Sequence, residues 1–111
     1  LLELRDAARA VHVSEPVEAY LVAITRATRG HRDVELGASP RATVALYRVA
    51  QAAAMLDGRS FVLPDDVKAI APAVLEHRLV IDLDRSLAGS TPTTVVATVL
   101  QTVPVPPVAE A

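Results

Sequence analysis

The run that begins at Ser39-Pro40 constrains the fold more than any other part of the chain. Ala42, Ala45, Leu46, Val49, Ala52, Ala53 and Leu56 recur at helical spacing, and Asp57-Gly58 closes the run. Apolar residues at steps of three and four line one side of a 3.6-residue helix, and that side must find cover. Ser39 can accept a hydrogen bond from the first turn, and Pro40, at the first helical position, forfeits none. Alanine on the covered side lets neighbouring helix axes approach closely. The expected fold is therefore all-α, a small bundle of four to five helices with this one at its centre and at most a short extended arm.

The other segments are read against that helix. Residues 1–10 look like the end of a helix, with Leu1, Leu4 and Ala8 on one face, and Val11-His12-Val13 is an extended link. Ser14 is the expected cap of the next helix, followed by Glu15 and Pro16, with Val17, Tyr20, Leu21, Ile24 and Ala27 inward and Gly30 as the stop. Residues 31–38 form a polar loop and residues 60–63 a short extended stretch. Pro64-Asp65-Asp66 opens a further helix with Val67, Ile70, Ala71 and Val74 buried; Pro72 is expected to kink it or split it in two. In residues 77–84, Leu79, Ile81 and Leu83 point one way, as in a short strand or extended arm. Residues 87–92 turn. Residues 93–103 are β-branched enough for a strand, but with no partner strand evident they are assigned to a helix.

Of the 111 residues, 51% are hydrophobic and only 3% aromatic, so one modest core must be built from Ala, Val, Leu and Ile. The net charge of −2 is too balanced for nucleic-acid binding through bulk electrostatics, and it disfavours a histone-like DNA-binding bundle. No cysteine is present, which excludes disulfides and thiolate metal sites; the expected setting is cytoplasmic, with no membrane span and no signal peptide. The chain opens on Leu1-Leu2-Glu3-Leu4 without an initiator Met, and it reads as a segment of something longer.

Chemistry of its own is hard to find. There is no G-x-x-x-x-G-K-[ST] loop, no G-x-G-x-x-G, no H-E-x-x-H and no G-x-S-x-G. His12, His31 and His77 are too scattered to suggest a metal site, and Asp65-Asp66 reads as a helix-start pair. No catalytic or metal-binding residue is assigned, and the chain by itself is not expected to be an enzyme. One segment does suggest chemistry: Gly37-Ala38-Ser39-Pro40-Arg41-Ala42. A helix N-terminus presents unpaired N–H groups and partial positive charge, so a cation in its first turn is out of place unless an anion joins it. Either Arg41 reaches a phosphate brought by another domain, with Gly37, Ser39 and Pro40 supporting the helix start, or it is a solvated charge beside an ordinary cap.

That segment resembles the second-sensor motif of MoxR-type AAA+ ATPases. Val13-Ser14-Glu15, Arg26-Ala27-Thr28-Arg29, Leu56-Asp57-Gly58-Arg59, Pro64-Asp65-Asp66-Val67-Lys68 and the run from Ala71-Pro72 to Arg78-Leu79 resemble the same C-terminal lid, in the same order. Leu63 departs from the pattern where the family often has a capping threonine, and Thr91-Pro92-Thr93-Thr94 is less acidic than the usual start of the last helix. The resemblance implies a lid over residues 1–106 with a disordered tail at 107–111. It also implies a preceding α/β core that binds ATP and Mg, with no cofactor on this segment alone. Arg41 would be the nucleotide-sensing residue, with Tyr20 and Ile24 as candidate adenine contacts, although their helical spacing favours plain core packing. Arg26 and Arg29 would face a neighbouring subunit or form a solvated helix end. The implied partners are the α/β core, neighbouring subunits of a hexameric ring, and a client protein complex for a chaperone-like ATPase. The alternative from another class is a stand-alone helical protein-interaction module; a phosphate loop upstream in the parent reading frame separates the two.

Overall fold

Cap chemistry sets the helix starts. In the computed structural model, which describes residues 2–107, Ser39 is extended and its Oγ accepts the Ala42 N–H at 3.2 Å; Ser14 does the same for Val17 at 3.4 Å and Thr91 for Thr94 at 3.1 Å. A proline follows within the first two positions of each of these helices. The order is α1 (Leu2–Arg9), α2 (Glu15–Gly30), β1 (Val34–Leu36), α3 (Pro40–Leu56), α4 (Pro64–Leu75), a 3₁₀ turn (Glu76–Arg78), β2 (Val80–Ile81), α5 (Leu83–Leu87) and α6 (Pro92–Thr102). Leu1 and residues 108–111, and with them almost all of the tail assigned to 107–111, lie outside the described residues.

The helix α3 is central, as its stripe requires. It packs chiefly on α4, and also on α1 and α2, while α6 closes against α4 and α2. Its covered row is Ala42, Leu46, Ala50 and Ala54, each with no exposed surface. This corrects part of the expected stripe: Val49 is 40% and Leu56 83% exposed, and Ala45, Ala52 and Ala53 are half-buried. Apolarity picked candidates, but the fully covered apolar row runs in steps of four, where the neighbouring helices meet α3, and Val49 and Leu56 fall off it.

The described residues are mostly helical, 68% over six α-helices and the 3₁₀ turn, but the all-α expectation needs a small sheet added. Segment 31–38 is more than a loop: β1 pairs antiparallel with β2, Val34 opposite Ile81 and Leu36 opposite Val80, with an irregular register between them. Two more extended segments also find each other, since His12 bridges Phe61 in parallel through His12 N–H to Ser60 O and Val62 N–H to His12 O, each 2.9 Å. Leu83 does not belong to the extended arm; it begins α5 and is 69% exposed, because the Asp82 carboxylate caps a helix there by accepting the Arg85 N–H. Residues 93–102 are helical, as assigned.

Pro72 does not split α4. The helix runs unbroken through it to Leu75 and then tightens into the 3₁₀ turn. Proline there removes the N–H that would bond the carbonyl of Lys68, a half-buried residue four positions back, yet the helix continues for three more residues. Gly30 ends α2 without a left-handed turn, whereas Gly58 takes φ +79° after α3. Around Gly58 the Arg59 N–H reaches Ala54 O and the Gly58 N–H reaches Met55 O, both at 2.9 Å, satisfying carbonyls the helix end would otherwise orphan. No helix among the described residues is long and apolar enough to cross a membrane.

Candidate functional site

The candidate site is the first turn of α3. Pro40 stands at its first position and Arg41 at its second. The Ala42 N–H is taken by Ser39 Oγ and the Thr43 N–H by Ser39 O at 3.1 Å; Pro40 has none to give. The Arg41 side chain is exposed, and among the described residues it makes no ion pair and no side-chain hydrogen bond. The first turns of α2 and α4 carry Glu15, Glu18, Asp65 and Asp66, whereas α3 carries no acidic residue there. Carboxylates suit that end of a helix and a guanidinium opposes it. The arrangement therefore presents a cation, five N–H donors and a partial positive charge to whatever lies beyond the helix start.

The approach to this turn is fixed from α2. Gly37 lies against Arg29 so closely that a Cβ would fall 2.5 Å from the Arg29 Cα, so glycine is required by contact. Ala38 has no exposed surface, and its N–H donates to the hydroxyl of buried Thr28 at 3.0 Å. Thr43, one turn into α3, donates to Thr25 Oγ1 at 3.1 Å. Sequence reasoning assigned Gly37, Ser39 and Pro40 as supports and missed Thr25 and Thr28. Their signal was helical spacing with Leu21 and Ile24, read there as a stripe of apolar residues alone, and for Thr28 also its place in the Arg26-Ala27-Thr28-Arg29 run.

Tyr20 and Ile24 lie in the core at 3% and 0% exposure, covered by neighbouring helices. The Tyr20 hydroxyl is buried with no hydrogen-bond partner, and burial first, then the charge of Asp65, pushes its ionisation above the ordinary phenol value. Arg26 and Arg29 are exposed at the end of α2. His12 and His77 are exposed; His31 accepts the Asp33 N–H through Nδ1 at 3.0 Å in the turn before β1.

A second polar cluster joins α3 to α4. Arg59, placed by the Gly58 turn, grips both carboxylate oxygens of Asp66 at 2.5 Å and also reaches Asp57 at 2.9 Å. Asp66 in turn accepts the Leu63 N–H at 2.7 Å, the half of a capping box that the third helical residue supplies, while its own N–H, with no side-chain oxygen at Leu63 to meet it, donates to Leu63 O at 3.0 Å. Burial pushes the Asp66 carboxyl up, but the Arg59 hydrogen bonds, the Leu63 N–H and the Arg59 charge outweigh it and hold it below its ordinary value.

Comparison with known proteins bears on the family to which the chain belongs. The family model described as AAA lid domain matches residues 26–99. YeaC of Bacillus subtilis, itself uncharacterised, is 36% identical over 86% of this chain and 30% of its own length. The chaperone MoxR1 of Mycobacterium tuberculosis is 38% identical over 97% of this chain and 31% of its own length. A crystal structure of a protein assigned as an ATPase, from Cytophaga hutchinsonii, superposes with a TM-score of 0.89 at 30% identity, covering 96% of this chain and 35% of that one. The chain thus spans about a third of the length of the relatives it matches.

Proposed function

Because this chain belongs to the MoxR family of AAA+ ATPases, as a lid domain, we propose that it closes over ATP bound by an α/β core and supplies the nucleotide-sensing arginine, Arg41. The observation that carries the proposal is the unpaired guanidinium at the capped, acid-free start of α3. A triphosphate fits that position: its oxygens accept from the guanidinium fork and gain from the helix dipole. The lid in this reading covers residues 1–106. The phosphate loop, the magnesium-binding acid and the catalytic base belong to the core, which supplies the hydrolytic chemistry. Arg41 brings positive charge to the β- and γ-phosphates, where it steadies charge moving during transfer and couples nucleotide state to lid angle. Neighbouring subunits of a hexameric ring and a client protein complex, in a cytoplasmic setting, complete the proposal.

The test is Arg41→Ala in the full-length ATPase. Loss of a charge-assisted contact made in the transition state is expected to raise the barrier by about 1.5–3 kcal/mol. The melting temperature of the lid is expected to hold or rise slightly, since a cation leaves the positive end of a helix. Hydrolysis and nucleotide affinity both equal to the unmodified enzyme would make Arg41 a surface charge and end the sensor assignment; an unfolded lid would make it structural.

A further inference from the structure

The start of α3 is held by groups to which the lid reading gives no task. Thr28, near the end of α2, has no exposed surface. A buried threonine in a helix commonly bonds a carbonyl one turn back and needs nothing more. Thr28 does so, donating to Thr25 O at 2.6 Å, but its oxygen also accepts the Ala38 N–H, ten residues further along. Thr25, equally buried, donates to Val22 O at 2.9 Å and accepts from Thr43 Oγ1. Three hydroxyls from two helices thus connect the backbone of α2 to both sides of the Ser39 cap: Ala38 just before it and Thr43 just after. Gly37, jammed against Arg29, leaves the connecting chain no room to shift toward α2.

We propose that Thr28 is a positioning residue for Arg41, setting where the guanidinium stands relative to α2. The inference rests on the reading of Arg41 as the phosphate-sensing arginine. The chain from Ala38 to Arg41 is short, its middle is fixed by the Ser39 cap, and Pro40 locks its own φ. An ångström of movement at Ala38 therefore arrives at Arg41 with little loss, and misplacement of that size at a phosphate contact is felt strongly in rate. Without the Thr28 hydroxyl the buried Ala38 N–H has no acceptor, and the junction must open toward water to satisfy it.

The experiment is a double-mutant cycle in the full-length ATPase, with hydrolysis measured well below the melting temperature. Thr28→Val, which keeps the shape and removes the acceptor, is expected to lower kcat roughly three- to tenfold with a smaller change in KM for ATP. In the Arg41→Ala background the same change is expected to have no further effect on kcat, and Thr28→Ser is expected to restore the rate. If Thr28→Val fails to fold, Thr43→Val, at a half-buried position, is put through the same cycle with the same expectation. An equal fall in both backgrounds means general loosening and overturns the proposal, as does an unchanged kcat where Arg41→Ala is impaired. An inert Arg41→Ala removes the sensor reading itself, and this inference with it; that result comes from the single variant and is distinguishable from failure of the coupling.

Discussion

Asp66 shows how one side chain can serve two neighbours. It completes the start of α4 through the Leu63 N–H and receives the Arg59 fork from the end of α3. Its side chain is only 10% exposed and that of Arg59 20%, so removing one partner strands the other in partly desolvated surroundings. Asp66→Ala is expected to destabilise the lid by about 1.5–3 kcal/mol, read as a lower urea midpoint at unchanged slope. A loss below about 0.5 kcal/mol would mean that the pair is solvated in practice. The pH dependence has a definite sign. The folded state holds this carboxyl below its unfolded value near 4, so its contribution is complete above about pH 4 and is lost as pH falls through the folded value. Asp66→Asn should flatten that part of the acid unfolding curve; an unchanged curve would assign the acid sensitivity to other carboxylates.

The elements differ in how much of their placement is local. Leu46 is the one large side chain in the covered row of α3, between Ala42 and Ala50. Leu46→Ala is expected to cost about 2–5 kcal/mol, since alanines on either side cannot collapse into the space. Leu56→Ser, at a position 83% exposed, is expected to change the stability of the separate lid by less than about 0.5 kcal/mol. Denaturant titration of the two variants tests the direction in which α3 faces, and similar losses would refute it. The helix starts at Ser14 and Ser39 were legible in the sequence because a cap oxygen and the N–H that donates to it lie within one turn, and the start at Pro64 because a proline and two carboxylates open it. The inner row of α3 was half legible: periodicity gave Ala42 and Leu46, but nothing local distinguishes Ala50 and Ala54 from Val49 and Leu56. Of the sheet, β2 falls within the segment read as a short strand or extended arm, whereas β1 was illegible because three residues are too few to display alternation and its partners stand more than forty positions away. The candidate site divides in the same way. Arg41 stood out by its charge at a helix start, while Thr25 and Thr28 are ordinary helix residues until the distant Thr43 and Ala38 are seen beside them.

At the scale of the whole molecule, the chain is expected to hydrolyse no ATP by itself, since it carries no phosphate loop. Turnover by the purified chain above a buffer control, free of contaminating enzyme, would overturn this. The link between α1 and α2 is fastened on both of its flanks. Gln51, only 2% exposed in the middle of α3, donates from Nε2 to Arg9 O at 3.3 Å and to Val11 O at 2.9 Å. On the other side of the same link, His12 is stitched to the segment just before α4. Segments joining two bodies are commonly slack and absorb rotation as loose couplings do. This one is pinned on both flanks, to the helix that carries Arg41 and to the strand-like stretch beside it. Residues 10–13 are therefore a splice and not a swivel: they tie α1 to α3 on one flank and to the start of α4 on the other, so that a rotation imposed on one is imposed on its neighbours.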